Sequence, residues 1–126
     1  MTKLIALIYL IGSVNYVCSQ KKIATATTNQ NIIDYVHSVD STIIVIDFLE
    51  IKKSQWKNNF ETVSGLILSG GRDVSPKNYG VKDTFNLCVT DPKRDEVELF
   101  LLKAALNDSI PILGICRGHQ MTNVGQ

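Results

Sequence analysis

Ile110-Pro111-Ile112-Leu113-Gly114-Ile115-Cys116-Arg117-Gly118 is an apolar run that ends in a small polar turn, and its reading decides the fold. The run reads as a buried strand, with Pro111 at its start, where a missing ladder donor matters least. Residues Gly118 to Val124 read as the helix that follows. A strand turning sharply into a helix, with glycines two positions to either side of a central residue, is the G-x-nucleophile-x-G elbow. Such a turn pushes the central side chain out at the carboxyl edge of the sheet. Here that side chain is the thiol of Cys116. A thiol at a helix N-terminus meets backbone amides and the positive end of the dipole, which favour the attacking thiolate. The amide of Arg117, next in the chain, would face the oxyanion of a tetrahedral intermediate. On these residues alone, a buried structural cysteine between two packing glycines is an equal reading.

Working back from the elbow, the strongest helix signal runs from Lys93 to Asn107. Asp91 can cap it, Pro92 suits its first position, and Asp95, Glu96 and Glu98 place negative charge near the positive end of its dipole. Val97, Phe100, Leu101, Ala104 and Ala105 recur on one face. Before it, Val63 to Leu68 reads as a strand closing in Ser69-Gly70-Gly71, glycines that can turn an amide toward an oxyanion or a phosphate. No G-K-S/T follows, so this is not a P-loop. A plain turn fits the pair as well. Residues 52 to 61, with Trp56 and Phe60 four apart, predict an amphipathic helix. Thr42 to Phe48 is nearly continuous in apolar β-branched residues, as a strand covered on both faces should be. Asn31 to Val39 predicts a short helix and Ile23 to Thr28 a first strand. The β-α-β-α-β order is that of a parallel sheet wound with crossover helices.

The whole chain has 126 residues, 44% hydrophobic and 20% charged, which suits one domain. Thirteen Lys and Arg against twelve Asp and Glu give a net charge of +1, without a basic run, so nucleic acid is not an expected partner. Cys18, Cys88 and Cys116 show no C-x-x-C spacing and His37 and His119 lie far apart, which indicates neither a metal site nor a disulfide framework.

Lys3, the apolar run Leu4 to Ile11 and Val17-Cys18-Ser19 have the order of a secretory signal, so residues 1–19 are expected to be a signal peptide and residues 20–126 the domain. The run is shorter than the roughly 20 apolar residues of a membrane span. Export, with no membrane attachment after signal removal, is the expectation. The alternative is a first buried strand in a cytoplasmic protein, which would need a long structureless connection to Ile23.

Three segments in order carry a resemblance: Val63 to Gly80 (VSGLILSGGRDVSPKNYG), Arg94-Asp95 with Glu98, and Pro111 to Gln120 (PILGICRGHQ). Together they resemble the class I glutamine amidotransferase-like superfamily. The nearest likeness is to γ-glutamyl-γ-aminobutyrate hydrolases and related γ-glutamyl peptidases, whose members read G-G-x-D-V-x-P-x-x-Y-G and L-G-I-C-R-G-x-Q. The resemblance implies a three-layer, flavodoxin-like α/β fold and hydrolysis of a small γ-glutamyl substrate through a thioester, with no metal or cofactor. It makes Cys116 the nucleophile, gives the oxyanion hole to the amides of Arg117 and Gly71 or Gly70, and places Gln120, Asp73 and Tyr79 around the substrate. Arg94, Asp95 and Glu98 become a supporting set, though holding a loop onto a helix would explain these residues and the loop pair Asp73 and Tyr79 equally well. His119 reads as structural or solvent-facing rather than as the base. Full members place a histidine and an acidic partner well downstream of the elbow, so this sequence corresponds to the N-terminal half, expected to be inactive until a complementary C-terminal half is supplied. The rival readings are a non-catalytic remnant or binding module, and the glutaminase part of an amidotransferase.

Overall fold

The computed structural model describes residues 19–82 and 86–126. In chain order it contains β1 (Lys22–Thr25), α1 (Gln30–Val39), β2 (Ile44–Asp47), a 3-10 turn (Lys53–Gln55) leading into the short helix α2 (Trp56–Phe60), and β3 (Gly65–Leu68). A second 3-10 turn (Pro76–Tyr79), α3 (Pro92–Asn107), β4 (Ile112–Gly114) and α4 (Arg117–Val124) follow. The four strands are all parallel in the order β2-β1-β3-β4. Helices on both faces make this the three-layer, flavodoxin-like arrangement, in which the strand order reverses beside β1 and ligands bind at the carboxyl edge.

Alternation along the strands sorts the core. Ala24, Leu66 and Leu68 point to the face covered by α2, α3 and α4, where they meet Trp56, Phe60, Val97, Leu101, Leu102 and Met121. Ile23, Val45 and Ile67 point the other way, toward Ile32 and Val36 of α1. Each fully buried Leu contributes about 1.5–3 kcal/mol relative to leaving it in water. Asn29 caps α1 through the Ile32 amide at 3.0 Å, and Asp91 caps α3 through the Arg94 amide at 3.1 Å with Pro92 in the first turn. The cap of α3 falls where the sequence puts it, and α1 starts one residue before the expected Asn31.

Two strands are less covered than their apolar composition predicts. β2 lies at the sheet edge, and Ile44 is 38% exposed. β4 lies at the other edge of the described sheet, with Leu113 41% exposed, so the expected fully buried strand is open on one side. Between α1 and the β3–β4 pair runs an apolar groove of about 270 Å³, lined in part by Tyr35, Val39, Ile67 and Leu113. The helix expected over residues 52 to 61 is shortened to its second half, because Lys53–Gln55 winds as a 3-10 turn. Of the proposed signal peptide only Ser19 lies among the described residues, and the alternative strand Leu4 to Ile11 lies outside them. Among the described residues no helix is long and apolar enough to cross a membrane.

Candidate active site

The amide of Ile115 donates to Leu68 O at 2.8 Å, which ties the end of β4 to the end of β3 and sets where the next residue must turn. Cys116 makes that turn with φ 54° and ψ −109°. A non-glycine residue in this sparsely populated region stores strain of order 1–3 kcal/mol, held by the structure around it. Its carbonyl accepts the amides of His119 at 3.0 Å and Gln120 at 3.2 Å, so α4 starts at the turn itself. Gly118 lets α4 lie directly on β3, since a Cβ there would overlap the carbonyl of Leu68. Cys116 is thus an exposed thiol at the carboxyl edge of the sheet.

The turn after β3 stands beside it. A Cβ built on Gly70 would lie 3.7 Å from Cys116 Cβ. Among the described residues the amides of Gly70, Gly71 and Arg117 donate to no acceptor in the chain. Backbone N–H groups without internal partners, grouped around a thiol, are what an oxyanion site requires.

Behind these turns sits a cluster of four buried charges. Arg94 Nη2 donates to Ser69 O at 2.9 Å, Ser69 Oγ at 3.1 Å and Gly70 O at 3.0 Å, while its Nε donates to Glu98 Oε1 at 2.7 Å. The other oxygen of Glu98 accepts Arg117 Nη1, and Arg117 Nη2 donates to Asp95. Asp95 also accepts the Ser75 amide and Asn78 Nδ2, each at 3.0 Å. Burial pushes the Glu98 carboxyl above its ordinary range, against the pull of Arg117 and Arg94. The resemblance groups Arg94, Asp95 and Glu98, and the structure brings them together, but of Arg117 the resemblance takes only the amide. Its side chain, 1% exposed, completes the cluster.

Asp73, Tyr79 and Gln120 come together on one cleft of about 410 Å³, which Val74, Cys88, Asn123 and Val124 also line. Cys116 stands outside that lining. Asp73 also holds one loop to another: its amide donates to Val89 O at 3.0 Å and its carboxylate accepts the Val89 amide at 3.2 Å. That contact brings Cys88 to the cleft, which no local pattern in the sequence signals. His37 lies away from the edge, its Nε2 3.1 Å from Ile43 O just before β2, and His119 is exposed on α4. Among the described residues neither imidazole ring is hydrogen-bonded to the Cys116 thiol. No group of three His, Cys, Asp or Glu that could hold a metal ion occurs among the described residues.

Known proteins share this arrangement of sequence. The family described as Peptidase C26 matches residues 6–126. A glutamine amidotransferase-like protein YvdE of Lactococcus lactis subsp. lactis is 42% identical over 97 residues, which is 77% of this chain and 40% of the relative. A glutamine amidotransferase-like protein of Rickettsia prowazekii, RP404, is 45% identical over 65 residues, 51% of this chain and 23% of the relative. The γ-glutamyl-CDP-amidate hydrolase of Campylobacter jejuni is 38% identical over 72 residues, 57% of this chain and 30% of that enzyme. The chain thus spans less than half the length of each of these relatives.

Proposed function

This chain belongs to the peptidase C26 family of class I glutamine amidotransferase-like proteins, and from that premise we propose that it carries the nucleophile half of a γ-glutamyl hydrolase site. The observation behind this reading is the strained, exposed turn at Cys116, with the Gly70–Gly71 turn packed beside it. In the proposed reaction the Cys116 sulfur bonds to the γ-carbonyl carbon of a γ-glutamyl amide as the thiol proton passes to a base. The carbonyl electron pair moves to oxygen, where the amides of Arg117 and Gly71 or Gly70 receive it. Collapse breaks the C–N bond, the amine leaves with a proton, and water then cleaves the thioester. Gln120, Asp73 and Tyr79 hold the γ-glutamyl group in their shared cleft.

The proton transfers need a base and acid that neither His37 nor His119 supplies from its place in the fold. Full turnover is therefore expected when this chain is joined to the C-terminal half of a full-length relative. Hydrolysis of a γ-glutamyl amide checks this with the chain alone, the joined chain, and the joined chain carrying Cys116→Ala. The joined chain should turn over, the chain alone should show little, and Cys116→Ala should lower the rate by about 10⁴-fold or more. Turnover that survives Cys116→Ala removes the nucleophile assignment. The amidotransferase names of several relatives favour glutamine as a second substrate, and comparing glutamine with a γ-glutamyl amide separates the two.

A further inference from the structure

The reaction proposed above uses backbone amides from two separate connections, and nothing in that chemistry explains the buried charges behind them. Glu98 is fully buried, with one carboxylate oxygen on Arg94 and the other on Arg117. Arg94 grips the turn after β3 through the carbonyls of Ser69 and Gly70. Its guanidinium also fills the space beneath Gly71, where any Cβ would overlap it. Arg117 belongs to the elbow, so its side chain is anchored in the cluster while its amide stands at the site. We infer that Glu98 is a positioning residue: by joining Arg94 to Arg117 it fixes the Gly70–Gly71 turn relative to the Arg117 amide, so that both oxyanion donors are aligned before charge develops.

This inference rests on the cysteine chemistry proposed above. Its physical ground is that buried ion pairs add little net stability over apolar packing of the same shape, whereas in some proteins they fix a single register or geometry. Donors that stabilise an oxyanion must be in place beforehand, and their alignment is set by what holds the backbone from behind.

The test separates alignment of the donors from integrity of the elbow, using two reagents on Cys116 of the 126-residue chain. With iodoacetamide the sulfur–carbon bond forms as the carbon–iodine bond breaks and iodide leaves, so no oxyanion arises. With 4-oxobutanoate the thiolate adds to the aldehyde carbon and the carbonyl pair moves to oxygen, giving a reversible hemithioacetal oxyanion. Capture is read as protection of Cys116 from iodoacetamide, by peptide mapping. Glu98→Gln and Arg94→Lys should keep the alkylation rate within about twofold and weaken aldehyde capture about tenfold or more. Equal loss of both reactions in both variants would mean a merely structural role and would overturn the inference. Capture as tight as in the parent chain would overturn it too. If Glu98→Gln fails to fold, by circular dichroism, Arg94→Lys decides. Absence of capture by the parent chain would instead remove the oxyanion assignment itself, and this inference with it.

Discussion

Ile67 and Leu68 are consecutive in β3 yet look onto differently finished faces. Leu68 points into the layer formed by α2, α3 and α4, where apolar packing is continuous and the four-charge cluster is enclosed. Ile67 points to α1, the one helix described on its side, where Val39 is 78% exposed and Tyr35 56%. The larger face does two tasks, since α3 supplies both the core stripe and the charges that reach the carboxyl edge. The α1 face holds β1 and β2 in place and contributes no side chain to the cleft or to the charge cluster. Mutations on the two faces should therefore separate cleanly.

The largest expected difference is between Leu101→Ala and Val39→Ala. Leu101 is fully buried, and its truncation leaves a cavity, so unfolding by denaturant should show a loss of about 2–5 kcal/mol. Val39→Ala should stay within about 0.5 kcal/mol. Similar losses at both sites would show that the α1 face is as well covered as the other. Next comes Gly118→Ala, which puts a methyl group into the Leu68 carbonyl and forces α4 off the sheet. The expected loss is about 1–3 kcal/mol, together with slower alkylation of Cys116 as the elbow shifts. Normal stability with normal alkylation would mean that α4 can move away without disturbing the turn.

The smallest effect concerns pH. Because burial holds the Glu98 carboxyl above its ordinary 4.5, the folded chain keeps this proton more tightly than the unfolded chain. Its contribution is then full below the unfolded value and is lost as pH rises through the folded one. The Tm advantage of the parent chain over Glu98→Gln should be greatest below pH 4.5 and shrink as the pH rises above it. A gap that widens with pH would show that Arg94 and Arg117 outweigh burial. The cluster would then be bound together chiefly by charge.

Patterning made the parallel order, the helix start at Asp91 and the elbow legible, because each rests on neighbours in sequence. Coverage was less legible: Ile44 and Leu113 lie in runs that read as interior strands, and only their positions at the sheet edges expose them. The site divides in the same way. Cys116 stands at the spacing of an elbow and Gly70 and Gly71 enter through the resemblance of three ordered segments, whereas the side chain of Arg117 looks like any charged residue after a turn. Its burial depends on two acids far back on α3, a pairing that only the packing of α3 against α4 creates. Cys88 reaches the cleft for a similar reason, through the backbone contact of Asp73 with Val89.

The backbone angles of Cys116 have a consequence for how the chain can be observed. That conformation is bracketed by the Ile115 amide on Leu68 O and by Gly118 seated on β3. A strained residue persists where its surroundings over-determine it, so loss of these holds is expected to let the residue relax and the thiol lose its fixed setting. The sulfur is therefore a built-in gauge of assembly. It registers, at one atom, the moment when the last described strand and the helix after it have locked onto the rest of the sheet.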